Sequence, residues 1–308
     1  MTALFEVPAP LFKTLSDQLP WLDAAPALAA EYLDRWNLRL DGKPLHGMAS
    51  IVLPVVRTAD ATPAMLKLQP FTDENKGEAL GLKTWSTDDV VEVLDDDPAT
   101  ATILLERLEP RSLADVPDDI EATRILAELL ARLSVVPAPP GLRRLDDIVT
   151  EMLADATRLI PRLADPDQQS LVRRYAAQAA ELVQDPGDRL LHWDLHYENV
   201  LAAHRKPWLV IDPKPLAGDP GFEVLPVLHN RWDDLVATGD LHRAIHRRFD
   251  LMLDVTGIDR ERAVGWTRVR ILQNVLWGLD GPEDEREDEI DPHQLEIARA
   301  LDPANLIT

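Results

Sequence analysis

The segment His192–Leu201, HWDLHYENVL, concentrates polar side chains that could perform chemistry. It carries the carboxylate of Asp194 and, further along, the amide of Asn199. Two short apolar runs joined by the polar stretch HRKP follow, a pattern that predicts a β-hairpin. Such a hairpin would return the chain and place Asp212 beside Asn199. Carboxylate and amide oxygens are ligands that Mg²⁺ prefers, so the segment predicts a magnesium site.

The order of these residues matches H-x-D-x-x-x-x-N, the pattern of the catalytic loop of protein kinases. In phosphoryl transfer, catalysis consists mainly of positioning the reactants and neutralising charge on the phosphates. We therefore expect Asp194 to be the catalytic base, which accepts or orients the proton of an attacking hydroxyl group. Asn199 and Asp212 are expected to be the metal ligands, and His192 is expected to fix the loop.

The pair His192 and His196 allows a second interpretation, a zinc site on a helix, because the two imidazoles are four residues apart. A zinc hydrolase needs a third ligand and usually the frame H-E-x-x-H, and the sequence shows neither. A structural, hydrogen-bonded pair is therefore favoured.

A kinase also needs a cation on the α- and β-phosphates of its nucleotide. The strand-like run AMLKL places Lys67 among apolar residues, where an unpaired ammonium group would be costly. We expect Glu78, on the short helix predicted over Gly77–Trp85, to be its partner. Alternatively, Lys67 lies on an edge strand and opposes aggregation. The loop and the hairpin together favour the phosphate-binding interpretation.

The rest of a nucleotide site is less clearly marked in the sequence. The run Thr102–Leu108, TILLERL, is expected to supply backbone hinge contacts to adenine through Glu106 to Leu108. An ordinary core strand would have the same side chains, so this alternative stays open. No G-x-G-x-x-G motif exists, and we expect Gly47 to Ser50 to cover the phosphates. ATP and Mg²⁺ are the expected cofactors.

The elements that must position these residues change character along the chain. In the first third, strand patterns surround one short helix, at 49–56, 64–68, 90–94 and 102–108. The run DDDP is expected to form the turn between the last two of these strands, and a helix is expected over Leu28–Leu40. After Pro110 amphipathic helical patterns dominate, at 120–133, 147–163, 168–184, 241–256 and 262–279. The sequence therefore predicts an α+β protein with an N-terminal nucleotide-binding lobe, 1–108, and a C-terminal catalytic and acceptor-binding lobe, 109–308.

Composition limits the functional classes. The 308 residues are 45% hydrophobic and 28% charged, which is typical of a globular protein. The net charge of −22 argues against nucleic acid and anionic membranes as partners and would attract a cationic ligand, although acidity can also serve solubility alone. The chain contains no cysteine, its first residues have no export signal and no run is long enough to span a bilayer, so a cytoplasmic location is expected. The sequence leaves the oligomeric state open.

The continuous stretch Leu190–Pro226, LLHWDLHYENVLAAHRKPWLVIDPKPLAGDPGFEVLP, resembles the aminoglycoside phosphotransferase family of small-molecule kinases. Within that family it is most similar to the streptomycin 6-kinase, or aminoglycoside/hydroxyurea kinase, branch. Weaker matches are the Lys67 strand, GEALGLKTW, ILLERL and VPAPPGL. The resemblance implies a two-lobed protein-kinase-like fold, with the catalytic, metal, phosphate and hinge roles at the residues already named.

Two positions depart from the wider family. Trp193 stands where most members have glycine, which implies a differently shaped acceptor pocket. Glu223 ends a stretch in which the family pattern G-D-P-x-x-D has aspartate.

The acceptor implied by the resemblance, streptomycin, carries guanidinium groups, which pair with carboxylates and stack on tryptophan. The expected acceptor contacts in the helical lobe are Trp193, Asp219, Glu223, Asp233, Asp234, Asn274 and Trp277. For the tryptophans a core position is the competing interpretation. The acidic run 282–291 is expected to be a solvated face.

The hypothesis from the sequence is an ATP- and Mg²⁺-dependent kinase that phosphorylates a hydroxyl group of streptomycin or a related cationic aminoglycoside and so inactivates it. One alternative is the same phosphotransfer to hydroxyurea, an amino sugar or another small hydroxylated metabolite. An alternative of another class is a nucleotide-binding pseudokinase or acidic interaction module, against which the intact set Asp194, Asn199 and Asp212 argues.

Overall fold

A computed structural model describes residues 4–281 and 286–302 of the chain. Its contacts divide the chain into two units. The first comprises residues up to Pro110 together with Ala202–Ile211, and the second comprises Arg111–Leu201 and Asp212–Thr308. The lobe boundary expected after residue 108 stays a prediction. The sequence analysis expected residues 202–211 in the C-terminal lobe, whereas their contacts assign them to the first unit.

The N-terminal unit contains an antiparallel sheet, as the alternating apolar runs predict. Its strands follow the order β1-β3-β4-β6-β5, and β2 pairs with β3. Their bounds are β1 Leu38–Leu40, β2 Leu45–His46, β3 Ile51–Arg57, β4 Pro63–Leu68, β5 Val93–Asp97 and β6 Thr102–Glu106. The pairing of β4 with β3 and β6 makes β4, which carries Lys67, an interior strand of this sheet and not an edge strand.

The helices of this unit are α1 Leu11–Thr14, α2 Leu19–Arg35 and α3 Glu78–Thr84. One face of α2 is buried with Leu22, Ala25, Ala29 and Tyr32, at the spacing of an amphipathic helix, and it belongs to the same core as the inward side chains of β3 and β4. The helix predicted over Leu28–Leu40 is wrong at its C-terminal end. Residues 38–40 form β1 because their backbone pairs with β3.

The prediction for β5 also needs correction. The run DDDP was expected to be a turn, yet Asp95, Asp96 and Asp97 belong to the strand and pair with β6. Asp97 accepts a hydrogen bond from the Tyr32 hydroxyl at 2.8 Å and forms an ion pair with Arg35. Asp96 forms an ion pair with Lys83 of α3, so cations from both helices compensate part of the charge of this run.

The C-terminal unit is mainly helical, as predicted. The helices that follow the sequence prediction are α4 Asp119–Leu133, α5 Leu145–Leu159, α6 Pro166–Leu182, α9 Leu241–Thr256 and α10 Arg260–Asp280. Three others, α7 Val224–His229, α8 Trp232–Ala237 and α11 Pro292–Ala300, were not predicted. The large core of this unit collects buried side chains from α5, α6, α7, α9, α10 and α11. None of the helices in the described part of the chain combines the length and the apolar character that crossing a membrane requires.

Short strands hold the irregular segment of this unit in place. Strand β11, Leu216–Gly218, pairs in parallel with β7, Arg143–Arg144, and antiparallel with β8, Arg189–Leu191. The predicted hairpin consists of β9, Val200–Ala202, and β10, Trp208–Val210, which pair in a two-stranded sheet. Its residues from 202 onward belong to the first unit. Because β8 precedes the HWDLHYEN loop and β11 follows Asp212, the β8–β11 pairing holds these two stretches next to each other.

Candidate active site

The catalytic-loop segment begins where β8 ends at Leu191 and closes in a 3-10 turn over Tyr197–Asn199. The side-chain nitrogen Nδ2 of Asn199 donates a hydrogen bond to the carbonyl of Asp194 at 2.8 Å and lies 3.0 Å from Nε2 of His196. Both contacts use the amide nitrogen, so the oxygen Oδ1 is the atom that Asn199 can offer to a cation. The structure thus brings Asp194 and Asn199 together, and His196 supports the loop instead of forming a zinc site with His192.

The segment after β10 is tied to the same loop. The backbone N–H of Lys214 donates to the carbonyl of His192 at 2.9 Å. Asp212 has a φ of 56°, in the left-handed region that is uncommon for residues other than glycine, and its carboxylate lies 3.9 Å from the ammonium group of Lys214. The backbone contact and the strained φ fix the direction in which the Asp212 side chain leaves the chain.

Glu223 holds the catalytic-loop segment at the backbone of Trp193. Its carboxylate is completely buried and accepts a hydrogen bond from the backbone N–H of Trp193 at 2.7 Å. Burial raises the pKa of Glu223 to about 7, although the backbone N–H of Trp193 and the charge of Arg270 oppose this shift. The hydrogen bond to Trp193 gives Glu223 a role in positioning the loop, and its contact with the acceptor stays a prediction.

Trp193 is itself almost completely buried. Its φ is 68°, which explains why glycine suits this position, and its side chain is only 3% exposed. The guanidinium carbons of Arg143 and Arg270 lie 4.3 Å and 5.0 Å from the centroid of its ring, and Arg270 donates to its carbonyl at 2.9 Å. The protein's own arginines cover this ring. Stacking of Trp193 on the acceptor stays a prediction.

The remaining acceptor candidates fall into separate groups. Asp219 is buried and accepts from the backbone N–H of Gly221 at 2.7 Å and from Nε of Arg262 at 2.7 Å, and its contact with the acceptor stays a prediction. Asp233 is exposed on α8, and Asp234 pairs with Arg231 at 2.6 Å. Asn274 and Trp277, on α10, line one cavity. Residues 282–285 of the acidic run 282–291 lie outside the described part of the chain.

In the N-terminal unit, Lys67 and Glu78 meet as expected. The ammonium group donates to both carboxylate oxygens, at 2.7 Å and 2.8 Å, and the two residues are only 4% and 1% exposed. Gln69 completes the cluster by donating to Glu78 Oε2 at 2.6 Å. The sequence analysis missed Gln69, which directly follows the end of β4 and lies two residues after Lys67.

The other predicted nucleotide-site residues occupy a turn and a strand end. Gly47 donates from its backbone to the carbonyl of Ser50 at 3.0 Å, which closes the turn between β2 and β3. The carboxylate of Glu106, at the end of β6, accepts from Nε of Arg205 at 2.9 Å and 3.0 Å. Leu108 is half-buried. The side chain of Glu106 is thereby committed to Arg205, and the hinge expectation for Glu106 to Leu108 concerns the backbone alone.

The sequence of this two-unit protein matches a known family over most of its length. Residues 35–281 match the family described as aminoglycoside/hydroxyurea antibiotic resistance kinase. The chain belongs to this family. It is therefore a small-molecule kinase, as the loop pattern and the resemblance predicted, and the pseudokinase alternative loses its support.

Individual relatives of this kinase agree with the family. The chain is 51% identical over 304 residues, 97% of each chain, to a protein named streptomycin 6-kinase from Streptomyces glaucescens. It is 46% identical over 292 residues to a protein named hydroxyurea phosphotransferase from Kitasatospora aureofaciens, which covers 91% of this chain and 82% of the relative. The crystal structure of aminoglycoside phosphotransferase APH(4)-Ia is similar with a TM-score of 0.60 and 16% identity, over 90% of this chain and 98% of that one. The α+β fold expected for the family is thereby confirmed.

The structure of this kinase contains supporting residues that the sequence motif did not reveal. Arg270 donates a hydrogen bond to the backbone carbonyl of Trp193, and Glu223 accepts one from its backbone N–H. The ammonium group of Lys214 lies beside the carboxylate of Asp212. Arg270 is 77 positions from Trp193 in the chain, so no local pattern could have indicated the contact. For Lys214 a signal existed, since a lysine follows the aspartate of a recognisable hairpin by two residues.

Proposed function

We propose that this kinase transfers the γ-phosphoryl group of ATP, in the cytoplasm, to a hydroxyl group of streptomycin or a closely related cationic aminoglycoside, and so inactivates it. The observation that carries the proposal is the 51% identity to streptomycin 6-kinase over 97% of both chains. Because this similarity covers the acceptor-binding helices as well as the catalytic loop, it supports the acceptor class and not the phosphotransfer alone. The name of that relative makes the 6-hydroxyl group the first one to test.

Asp194 is proposed as the catalytic base. Its carboxylate is partly exposed, and its backbone is held by the Nδ2 group of Asn199. A hydroxyl group at hydrogen-bond distance from Asp194 would be oriented for in-line attack, and its proton would pass to the carboxylate as the bond to phosphorus forms.

The donor atoms near the loop fit a magnesium ion. Oδ1 of Asn199 and the carboxylate of Asp212 are hard oxygen ligands of the kind that Mg²⁺ prefers. Bound there, the ion would neutralise charge on the β- and γ-phosphates. We therefore propose Asn199 and Asp212 as its protein ligands.

In the N-terminal unit, Lys67 is proposed to contact the α- and β-phosphates. The bidentate contact with Glu78 fixes the ammonium group and offsets the cost of burying it. Gly47 and Ser50 are proposed to lie over the phosphates, and the backbone from Glu106 to Leu108 to receive the adenine base.

For the acceptor, Asn274 and Trp277 of α10 are the proposed contacts, and Asp233 and Asp234 of α8 are proposed to attract its positive charge. A second acceptor, hydroxyurea, is favoured by the 46% identity to hydroxyurea phosphotransferase. The two candidates differ in charge, since hydroxyurea is neutral, so a preference for the cationic molecule would separate them.

The test is an assay of ATP consumption with streptomycin, other aminoglycosides, amino sugars and hydroxyurea, with mass spectrometry for an added phosphate group. We expect streptomycin to give the highest kcat/KM and a product phosphorylated at one hydroxyl group. Asp194→Asn should abolish turnover and leave the affinity for Mg-ATP nearly unchanged. Turnover by this variant, or phosphorylation of hydroxyurea but not of streptomycin, would contradict the proposal.

A further inference from the structure

The C-terminal unit contains a cavity of about 420 Å³ beside α10, a volume suited to a small molecule or part of one. We call it the α10 cavity. The residues whose side chains define its chemistry are His229, Asn274, Trp277, Glu287, Asp291 and Gln294. The ring of Trp277 contacts that of Trp193, 6.0 Å between centroids, and Trp193 directly precedes Asp194. A residue that lines the cavity thus contacts the neighbour in sequence of the proposed catalytic base.

Gln294 gives the lining of the α10 cavity a hydrogen-bond acceptor without a partner. The residue is only 8% exposed, and its side-chain oxygen Oε1 is buried without a hydrogen bond from the residues that the structure describes. A buried polar atom without a partner is costly, so native structures normally satisfy it. Since Gln294 lines the cavity, a hydrogen-bond donor on a bound molecule would satisfy this oxygen.

The charged residues of the lining favour a positively charged ligand. Glu287 and Asp291 contribute two carboxylates, and the described lining includes neither lysine nor arginine. The imidazole of His229 does not change this balance, because burial lowers its pKa and keeps it neutral near pH 7. A cation that donates several hydrogen bonds therefore matches the walls.

The shape of the cavity selects a flat cation. Trp277 is 53% exposed, so one large aromatic surface is open beside the carboxylates. The Glu287 side chain crosses α10 at Gly278, where an added Cβ would lie 3.1 Å from its Oε2. The backbone N–H of Glu287 donates to the carbonyl of Gly278 at 3.1 Å. Glycine at 278 therefore permits Glu287 to lie against α10, in the same cavity lining as Trp277.

We propose that the α10 cavity binds a guanidinium group of the acceptor, stacked on Trp277 and hydrogen-bonded to Glu287, Asp291 and Gln294. This inference rests on the proposed function, because it assigns a place to one part of the proposed acceptor. A guanidinium group is planar, carries five N–H donors when attached to a carbon chain and stacks on aromatic rings. An ammonium group is compact and strongly hydrated, so it interacts less favourably with the face of an aromatic ring.

A divalent metal ion is the other cation that this wall could hold, since ligand atoms of His229, Asp291 and His293 lie within 4.8 Å of one another. Two contacts disfavour it. Oδ1 of Asp291 already accepts from the backbone N–H of Gln294 at the start of α11, and the ring of His293 is stacked on Trp232 at 4.3 Å.

The experiment compares streptomycin with the same molecule in which amino groups replace the guanidinium groups. We expect Trp277→Leu to lower the preference for the guanidinium form, measured as a ratio of kcat/KM values, by about tenfold. Glu287→Gln should raise KM for streptomycin by about tenfold or more, with kcat and the KM for ATP nearly unchanged. Glu289→Gln is the matched control, because this exposed residue belongs to the same segment and is not part of the lining.

Binding without turnover separates this inference from the proposed function. Calorimetry of the intact protein with streptomycin, in the absence of ATP, should show affinity that Glu287→Gln weakens and Glu289→Gln does not. If streptomycin binds in this way but never receives phosphate, the proposed function fails and the cavity assignment stands. If streptomycin is phosphorylated and neither Trp277→Leu nor Glu287→Gln changes its KM, the cavity assignment is overturned. Zn²⁺ binding at micromolar concentration that is lost in His293→Ala would also overturn it, in favour of a metal site.

Discussion

The contact between Lys67 and Glu78 shows how a single pair of side chains combines structure and function. Both residues are almost completely buried, and Gln69 donates to the same carboxylate. Removing one partner of a buried ion pair leaves an uncompensated charge, whereas replacing both with apolar residues of similar volume is often neutral. Stability and phosphate binding can therefore be separated at this pair.

We predict that Lys67→Met lowers the free energy of unfolding by about 3 kcal/mol and abolishes turnover, because Glu78 is left buried without its cation. The double variant Lys67→Met/Glu78→Leu should regain most of the stability and stay inactive. Urea titration and the ATP-consumption assay measure the two effects. Lys83→Met serves as the control, since Lys83 pairs with Asp96 at the surface. Equal stability of Lys67→Met and Lys83→Met would contradict the prediction.

A second prediction concerns the buried carboxyl group of Glu223. Its pKa is raised from 4.5 to about 7, so the folded protein retains a proton that the unfolded chain releases over this interval. The stabilisation from Glu223 is therefore present below about pH 4.5 and is lost as the pH rises through about 7. Relative to Glu223→Gln, which cannot titrate, the wild type should lose on the order of 3 kcal/mol between these limits.

Urea midpoints of both proteins across this pH range measure the difference, and Glu289→Gln, at an exposed position, should follow the wild type. A constant difference between wild type and Glu223→Gln would show that the carboxyl group does not titrate there. Glutamine can still accept from the N–H of Trp193, so this variant should keep the loop in place and retain part of the activity.

Several elements of the C-terminal unit meet at Arg248 of α9. Its guanidinium group pairs with Asp119 at the start of α4 and donates to the carbonyls of Val227, Asn230 and Arg231 around the end of α7. It also lies 5.6 Å from the ring of Tyr197 in the catalytic loop. The Tyr197 hydroxyl hydrogen-bonds Thr123 of α4 at 2.7 Å, and burial raises its pKa to about 12. One cation thus links three helices to the loop.

We predict that Arg248→Met lowers the free energy of unfolding by about 3 to 5 kcal/mol, because Asp119 and the carbonyls lose their common donor. Arg248→Lys should recover only part of this loss, since an ammonium group cannot reproduce the planar fork. Arg247→Met changes an exposed neighbour on the same helix and should differ little from the wild type. Thermal and urea unfolding test the order wild type, Lys, Met; an unchanged Met variant would refute it.

The charge of −22 acts on the molecule as a whole. A strongly negative protein attracts cations and repels anions over a distance that salt shortens. For a cationic acceptor and an anionic nucleotide, the two effects have opposite signs.

Raising the ionic strength from about 0.05 M to about 0.5 M should therefore increase KM for streptomycin and decrease KM for ATP. Neutral hydroxyurea is the control acceptor, and its KM should depend little on salt. Neutralising Asp233 and Asp234 should raise KM for streptomycin at low salt and weaken its salt dependence. Steady-state kinetics in a series of salt concentrations measures all of these changes, and a salt-independent KM for streptomycin would refute the electrostatic argument.

The sequence alone determined the features that depend on neighbouring residues. The periodicity of apolar residues predicted β3, β4, β6 and most of the long helices. A fixed spacing singled out Asp194 and Asn199, and the predicted hairpin singled out Asp212, for the roles proposed here. Lys67 and Glu78 were paired correctly because burial of a lysine requires a nearby carboxylate and the next helix offers one. Such arguments use local geometry or a strong energetic necessity, and both can be read from the chain.

Only the tertiary structure decided which polar side chains are accessible. Trp193, Asp219 and Glu223 were expected to contact the acceptor. In the structure the carbonyl of Trp193 accepts from Arg270, and the carboxylate of Asp219 accepts from Arg262. The carboxylate of Glu223 accepts from the backbone N–H of Trp193. The α10 cavity likewise depends on α11, which the sequence analysis did not predict. Exposure and pairing arise from contacts between residues far apart in the chain. A carboxylate beside a motif therefore looks the same in sequence whether it faces solvent or closes a buried hydrogen bond.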